Sequence, residues 1–427
     1  MKFAFYTLGC KVNQYETQAM ERRVLEKGHT LGSFDEACDI YVVNTCTVTA
    51  VSDKKCRNMI RRVKKQNPHA VVGVCGCFAQ VSPQEVRKLG ADVLIGTKDR
   101  MEFIDMLLSS AQDGENREKL GLAREFKAFE QLPAGGLSQR TRAMLKVEDG
   151  CNNFCSYCII PYARGPVRSL PLEDCVKEAL HCREEGYCEL IVTGIEISSW
   201  GTDFKDGSTL HQLISALCDA VPDVRIRLGS LEPRTVTEEF CLKLKDKKNL
   251  CPQFHLSLQS GSDTVLRRMN RKYDTARYLH SVRLLQEHFP HCAVTTDLIV
   301  AFPGETEEEF QESLAFMEAC GFAACHVFPY SRRNGTPADK MPLQHGNDEK
   351  ERRAKLAQKT AKVLEETYLT SLIGTTQSVL WEQEEDGYFT GHAPNLAKVY
   401  TKGRNLHNQV KDCRITGLFR EGVLAEF

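Results

Sequence analysis

The sequence predicts an α/β protein in three parts: an N-terminal open parallel α/β sheet, a central partial (β/α)6 barrel of TIM-like form, and a small all-β barrel at the C-terminus. Three observations carry this. Short β-branched runs alternate with helix-like stretches through the first hundred residues, the same rhythm restarts near residue 142 with longer helices, and the tail alternates short strands with Gly and Asn breaks. A chain of 427 residues also suits two or three domains better than one core.

In the first part, residues 1–110, the runs FAFYTLG, DIYVVNT, AVVGVCG and ADVLIGT are strands. Between them lie VNQYETQAMERRVLEKG, a basic stretch ending at Gln66 and a stretch from Ser82 to Leu89. That βαβαβαβ order implies a parallel sheet with right-handed crossovers. Residues 111–141 carry Gly, Pro and charge without a clean period and read as a linker. In residues 142–345 the strands are AMLKVED, ELIVTGIE, VRIRLGSLE, QFHLSLQS, AVTTDLIVAF and CHVFPYS. These β/α units are too few to close an eight-stranded barrel, so a partial, open one is expected. A charged helix from about Asp348 to Tyr368 spans the connection 346–371, and 372–427 forms the small β-barrel.

Lys plus Arg number 56 against 57 Asp plus Glu, so net charge gives no reason to infer a nucleic-acid or membrane partner. No apolar run reaches 18 residues, and the apolar start of MKFAFYTLGCKVNQ is too short for a signal peptide. The chain therefore reads as cytoplasmic, with no membrane partner. Its 19 cysteines, in a reducing compartment, point to core packing, metal binding or redox chemistry rather than disulfides.

Cys151, Cys155 and Cys158 follow the first strand of the second unit set, at the carboxyl end where barrel enzymes place their chemistry. Three thiols are one short of a full ligand set. A distant Cys or His could complete a zinc site; alternatively, three thiolates hold a 4Fe-4S cluster whose fourth iron is open to a ligand. In the N-terminal part TLGC, VNTC and VCGC each end a predicted strand, so Cys10, Cys46 and Cys77 should converge on one edge of a parallel sheet. The plainer reading is that small cysteines fill strand ends. Cys75 competes with Cys77 but lies inside its strand, where packing suits it better.

The CxxxCxxC loop, with Tyr157 before its last cysteine, resembles the radical S-adenosylmethionine (SAM) superfamily, in which SAM itself chelates the open iron. On that resemblance, Gly194, Glu196, Glu232, Gln259 and Ser260, at later strand ends, join Tyr157 in holding SAM. TLGCKVNQYET, NTCTVT, GCFAQ, KVEDGCNNFCSYCIIPYARGPVRS, HLSLQSGS, LIVAFPGETEEEF and VFPYSRRNGTPA together are similar to the methylthiotransferases over almost the whole chain. The family likeness implies an N-terminal domain with an auxiliary 4Fe-4S cluster on Cys10, Cys46 and Cys77, a radical-SAM cluster on Cys151, Cys155 and Cys158, and a C-terminal TRAM barrel that binds RNA. It also implies the reaction: one SAM methylates sulfur associated with the auxiliary cluster, and another yields the radical that activates a substrate carbon. No catalytic side chain beyond the clusters is implied.

GCKVNQYE resembles the branch that methylthiolates C2 of N6-L-threonylcarbamoyladenosine at tRNA position 37, with the anticodon stem-loop as partner and an external electron donor and sulfur source. Other branches usually read GCQMN, for isopentenyladenosine in tRNA, or GCPKN, for a ribosomal-protein aspartate, and these remain alternatives. From another class, a noncatalytic zinc-bearing RNA-binding protein would use the same thiols structurally. Basic stretches at 52–66 and 396–414 could meet phosphates. Lys398, Lys402 and Arg404, with Tyr400 nearby, resemble the RNA-facing part of TRAM modules, although the acidic run EQEED leaves one face for that use. Arg164 and Arg168 suit contacts near the cluster loop or a substrate phosphate, and surface salt bridges equally. Cys56, Cys75, Cys182, Cys188 and Cys325 need no role beyond packing, and Ala301 stands where the family often has Gly, with a small local effect expected.

Overall fold

A computed structural model describes residues 1–135 and 141–427. Its first sheet contains β1 (Lys2–Thr7), β2 (Thr30–Gly32), β3 (Ile40–Thr45), β4 (Val71–Gly76), β5 (Val93–Ile95) and β6 (Arg117–Lys119), in the order β2-β1-β3-β4-β5-β6. Every neighbouring pair is parallel. The central strand, IYVVNT, is buried along its whole length, as a strand covered on both faces must be. Helices Lys11–Glu26 and Arg100–Asp113 cover one face through Met20, Val24, Phe103, Ile104 and Leu107. Helix Ala50–Gln66 covers the other through Cys56, Ile60 and Val63.

The segment expected as a linker differs from that reading. Arg117–Lys119 adds an edge strand to the sheet, and Leu132 and Ala134 are buried in the central core. The Tyr15 hydroxyl donates to the Leu132 carbonyl. A segment with no hydrophobic period can still be ordered when single apolar residues drop into a neighbouring core. Residues 136–140 of that stretch lie outside the described residues.

The second part contains β7 (Arg142–Lys146), a short antiparallel pair of β8 (Glu148–Asp149) and β9 (Arg168–Ser169), then β10 (Glu189–Thr193), β11 (Arg225–Leu228), β12 (Ser230–Leu231), β13 (Gln253–Leu256), β14 (Ala293–Val300) and β15 (Ala324–Pro329). One group runs β11-β10-β7 and the other β12-β13-β14-β15, all parallel. β11 and β12 are one strand broken at Gly229, whose amide turns to the Val192 carbonyl at 2.8 Å. The result is a curved six-strand wall left open between β7 and β15. Helix Asn347–Ser371 packs along β15, and helix Lys11–Glu26 contacts β7, so the first sheet stands beside the open barrel. Ala301, just past β14, is fully buried at φ 56°, a left-handed conformation that explains why Gly suits this position.

The chain ends in a closed barrel of β16 (Thr376–Glu385), β17 (Tyr388–His392), β18 (Lys398–Thr401), β19 (Gln409–Phe419) and β20 (Gly422–Glu426), ordered β16-β17-β18-β20-β19. Trp381, Val399 and Val423 fill its interior. Closure removes exposed strand edges from a very short domain.

Candidate functional site

Cys10, Cys46 and Cys77 follow β1, β3 and β4, three adjacent parallel strands, and so stand on one sheet edge. A methyl group at Gly9 would lie 2.8 Å from Cys46 Cβ and 3.0 Å from its Sγ. Cys77 is within electrostatic reach of both Cys46 and Cys10. Gly76, at φ 97°, makes the turn from β4 into helix Cys77–Val81; a Cβ there would strike the Thr45 carbonyl oxygen at 2.4 Å. Cys75 is fully buried in the core on the Lys11–Glu26 side of the sheet, as packing requires. Cys56 is also buried, with its thiol donating to the Cys46 carbonyl at 3.5 Å.

The second triad stands on the loop after β8. Gly150 has φ 91°, and a Cβ would fall 2.0 Å from the Pro166 carbonyl oxygen; the same close approach lets the Cys151 amide donate to the Gly165 carbonyl at 3.0 Å. Further anchors come from a distant turn: the Ser156 amide donates to the Met269 carbonyl at 3.0 Å, and Asn270 Nδ2 donates to the Phe154 carbonyl at 2.8 Å. Cys155 and Cys158 lie within electrostatic reach of Cys151. Cys158 is in turn within reach of Cys77, so the two triads approach one another where sheet edge meets barrel.

Burial pushes the Cys77, Cys151 and Cys158 thiols up to about 12. Such thiols become ligands only when a metal or another cation displaces the proton. Each triad already has one cation at sulfur: Arg164 Nε lies 3.4 Å from Cys77 Sγ, and Arg271 Nη1 lies 3.2 Å from Cys155 Sγ. N–H donors aimed at sulfur suit anionic iron–sulfur clusters. Three soft thiolates per triad fit one 4Fe-4S cluster each, with an iron left over. Among the described residues no three His, Cys, Asp or Glu side chains close around a single ion.

Behind the triads lies a buried charge network. Arg164 is fully buried and donates to Glu16, to Asp149 and, at 2.7 Å, to Asn13 Oδ1. Arg100 and Lys146 also reach Glu16, at 2.8 and 3.3 Å, and Lys146 reaches Asp149 at 2.7 Å. Arg168 donates to the Arg164 and Pro166 carbonyls and faces Asp149. The surface and phosphate readings of both arginines are therefore replaced: Arg164 pins the cluster loop to helix Lys11–Glu26 through Asn13 and Glu16, and Arg168 braces that loop through the Arg164 and Pro166 carbonyls. A second pin joins Arg333 to Asp53 at 2.7 Å and to Thr47 beside Cys46.

The residues expected at SAM divide into two groups. Gly194 lines a cavity of about 570 Å³ inside the partial barrel, together with Cys10, and a side chain at 194 would meet Glu148 at 2.7 Å. Glu196 is held by the Ser198 amide at 3.0 Å and the Ser199 hydroxyl at 2.7 Å. Burial and the nearby Glu232 charge raise its carboxyl, and Cys151 lies within its reach. Glu232 accepts from Arg234 at 2.9 Å, Gln259 takes φ 71°, and Tyr157 packs edge-on against Phe302. Ser260 is fully buried and bonded to the Ser262 amide and Ser313, so its hydroxyl serves the turn. Of the three basic residues expected at RNA, Lys398 is engaged by Glu385 at 3.0 Å and by Glu421, while Lys402 and Arg404 are exposed.

Sequence reasoning missed Arg271, Glu16, Arg333 and the polar barrel wall of Gln253, His255, Thr295 and Asp297. Their partners lie far along the chain; Glu16, His255 and Arg333 sit within the motifs TLGCKVNQYET, HLSLQSGS and VFPYSRRNGTPA, which could have drawn notice.

Comparison with known proteins agrees with this architecture. Residues 145–317 match the Radical SAM superfamily, and residues 2–96 match a family described as Uncharacterized protein family UPF0004. The chain is 40% identical to the threonylcarbamoyladenosine tRNA methylthiotransferase MtaB of Bacillus subtilis, across 94% of this chain and 90% of that one. It is 34% identical to the protein of the same name from Thermotoga maritima, across 98% and 95%. A tRNA-2-methylthio-N(6)-dimethylallyladenosine synthase from Clostridium perfringens is 33% identical, across 81% and 78%. Among solved structures, the radical S-adenosylmethionine methyltransferase TsrM from Kitasatospora setae shares the fold, with TM-score 0.56, 15% identity and coverage of 79% and 77%. Two neighbouring thiol triads, one on a parallel sheet edge and one on a partial barrel, in a chain that aligns nearly end to end with these relatives, place the protein in the radical-SAM methylthiotransferase family, within its MtaB branch.

Proposed function

We propose that the protein transfers a methylthio group to C2 of N6-L-threonylcarbamoyladenosine at position 37 of tRNA. The observation that supports this best is the packing of helix Cys77–Val81 against helix Ile160–Arg164, which brings one triad beside the other, in a chain 40% identical to an enzyme named for that base. Cys10, Cys46 and Cys77 would hold the auxiliary 4Fe-4S cluster, and Cys151, Cys155 and Cys158 the cluster that binds SAM. When bound, these groups and SAM supply the sulfur, the methyl group and the radical that activates the substrate carbon.

The chain's own residues orient and shield. Arg164 and Arg271 donate to ligand sulfurs and so favour the thiolate form. The Glu16 network joins helix Lys11–Glu26, which follows Cys10, to the segment that carries Cys151, Cys155 and Cys158. Glu196, Glu232, Gln259 and Tyr157 are the residues proposed to surround SAM, with Gly194 giving it room. Lys402 and Arg404 would meet the anticodon stem-loop. An electron donor and a sulfur source must come from outside, in the cytoplasm. No helix among the described residues is long and apolar enough to cross a membrane.

Two measurements test this reading. In cells lacking the protein, mass analysis of tRNA nucleosides should show loss of 2-methylthio-N6-threonylcarbamoyladenosine; an unchanged nucleoside profile would contradict the substrate. In reconstituted enzyme, replacing Cys151, Cys155 and Cys158 by Ala should abolish SAM cleavage. Replacing Cys10, Cys46 and Cys77 should leave cleavage and stop sulfur insertion; methylthiolation by that second variant would refute the auxiliary cluster assignment.

A further inference from the structure

Threonine joined through its amino nitrogen to a carbamoyl group keeps its carboxylate, so the substituent on the proposed substrate is an anion at neutral pH. A dimethylallyl substituent is a hydrocarbon. An enzyme that reads the former has to bring a cation to a cavity wide enough for a nucleoside, and about 570 Å³ lies in the range of such pockets.

Most of the polar wall of that cavity is already paired. Gln253 Nε2 donates to Thr295 Oγ1 at 3.2 Å, His255 Nδ1 lies 3.0 Å from the same hydroxyl, and His255 Nε2 lies 3.4 Å from Asp297. Lys11 differs. It lines the cavity next to Cys10 and also a second hollow with Gln14, Arg142 and Glu382; the residue is exposed, and among the described residues no hydrogen bond or ion pair occupies its ammonium. Its charged neighbours are Arg227, Arg142 and Glu189. Arg227 is bound to Glu189 at 2.7 and 3.0 Å, and Arg142 to Glu382 at 2.6 Å. Both arginines are thus committed to carboxylates, which leaves the Lys11 ammonium as the cation of this group without a partner among the described residues.

We infer that Lys11 is a specificity-determining residue, whose ammonium binds the carboxylate of the substrate's threonylcarbamoyl group inside the barrel cavity beside Cys10. The inference rests on the substrate proposed above. Two other anions could claim the same cation, an RNA phosphate and the methionyl carboxylate of SAM, and the test separates them.

Reconstituted holoenzyme is titrated with three anticodon stem-loops that differ only at position 37: threonylcarbamoyladenosine, its carboxamide analogue, and plain adenosine. SAM affinity is measured alongside. Wild type should prefer the first RNA over the other two. Lys11→Gln should weaken binding of that RNA alone by about 10- to 100-fold, the range of one charge-assisted contact, and Lys11→Arg should keep part of the preference. Equal weakening on all three RNAs assigns Lys11 to a phosphate and overturns the inference. Undiminished preference in Lys11→Gln, or loss of SAM affinity with RNA preference intact, overturns it as well. If wild type itself fails to distinguish threonylcarbamoyladenosine from adenosine, the substrate proposal fails first and takes this inference with it. Thermal midpoints of both variants verify folding, which an exposed first-turn side chain should not disturb.

Discussion

Glu16 shows what single residues do here. Burial alone would raise its carboxyl, yet Arg100, Arg164 and Lys146 outweigh that and hold it at about 2. Removing one member of such a cluster leaves buried charge uncompensated. Glu16→Gln should therefore lower stability by about 3–5 kcal/mol near neutral pH. The sign with pH follows from the depressed value: the Glu16 contribution is fully present above the ordinary carboxyl pKa of about 4.3 and fades as pH falls toward 2. Denaturant titrations of both proteins from pH 7 downward should show the stability gap narrowing below about pH 4.3; a constant gap would mean that the carboxylate charge is not what matters. None of this was legible in the sequence. Arg164 lies in a visible motif, but its burial depends on Glu16, 148 positions away, and no local pattern encodes that distance.

Among elements, the strands that the sequence revealed are apolar runs bounded by turn residues; β10 and β14 are rich in β-branched residues, whereas β7 (RAMLK) and β13 (QFHL) carry none and are marked by their other apolar side chains. β2 and β6, three residues each at the sheet edges, carry no such run and became visible only through pairing. The cysteine placement was readable for a related reason: each N-terminal ligand candidate follows a strand, and parallel strands gather their ends. The turn itself is specified by glycine. Gly76→Ala would force the φ 97° turn open against Thr45, shifting Cys77 while leaving the loop of Cys151, Cys155 and Cys158 intact. Purified, anaerobically reconstituted Gly76→Ala should carry about four fewer irons per chain than wild type and retain SAM cleavage. A full iron complement would show that Cys77 reaches its cluster from a different backbone conformation.

At the scale of the molecule, the C-terminal barrel is fastened to the base of the central one. Arg227 donates to the Pro394 carbonyl at 2.8 Å, Arg225 reaches Ser378, and Arg142 pairs with Glu382, which also holds His392. That docking carries Leu396 to the wall of the cavity that Lys11 also lines, so under the proposed function RNA held by the small barrel would reach the cluster site along a fixed path. Which basic residues do the gripping depends on their neighbours. Lys398 is neutralised by Glu385 and Glu421 and lies over the Tyr400 ring, whereas Lys402 and Arg404 are exposed on the following turn, with no ion pair among the described residues. Binding that releases counterions falls with salt at roughly 0.7 to 0.9 log units per phosphate neutralised. The double replacement Lys402→Ala, Arg404→Ala should thus flatten the salt dependence of tRNA affinity by between about 1 and 2 log units per decade, whereas Lys398→Ala should leave the slope nearly unchanged. Should Lys398→Ala flatten it as much as the double replacement, the two carboxylates must yield to RNA on binding, and the gripping face would extend across β18 to Glu421.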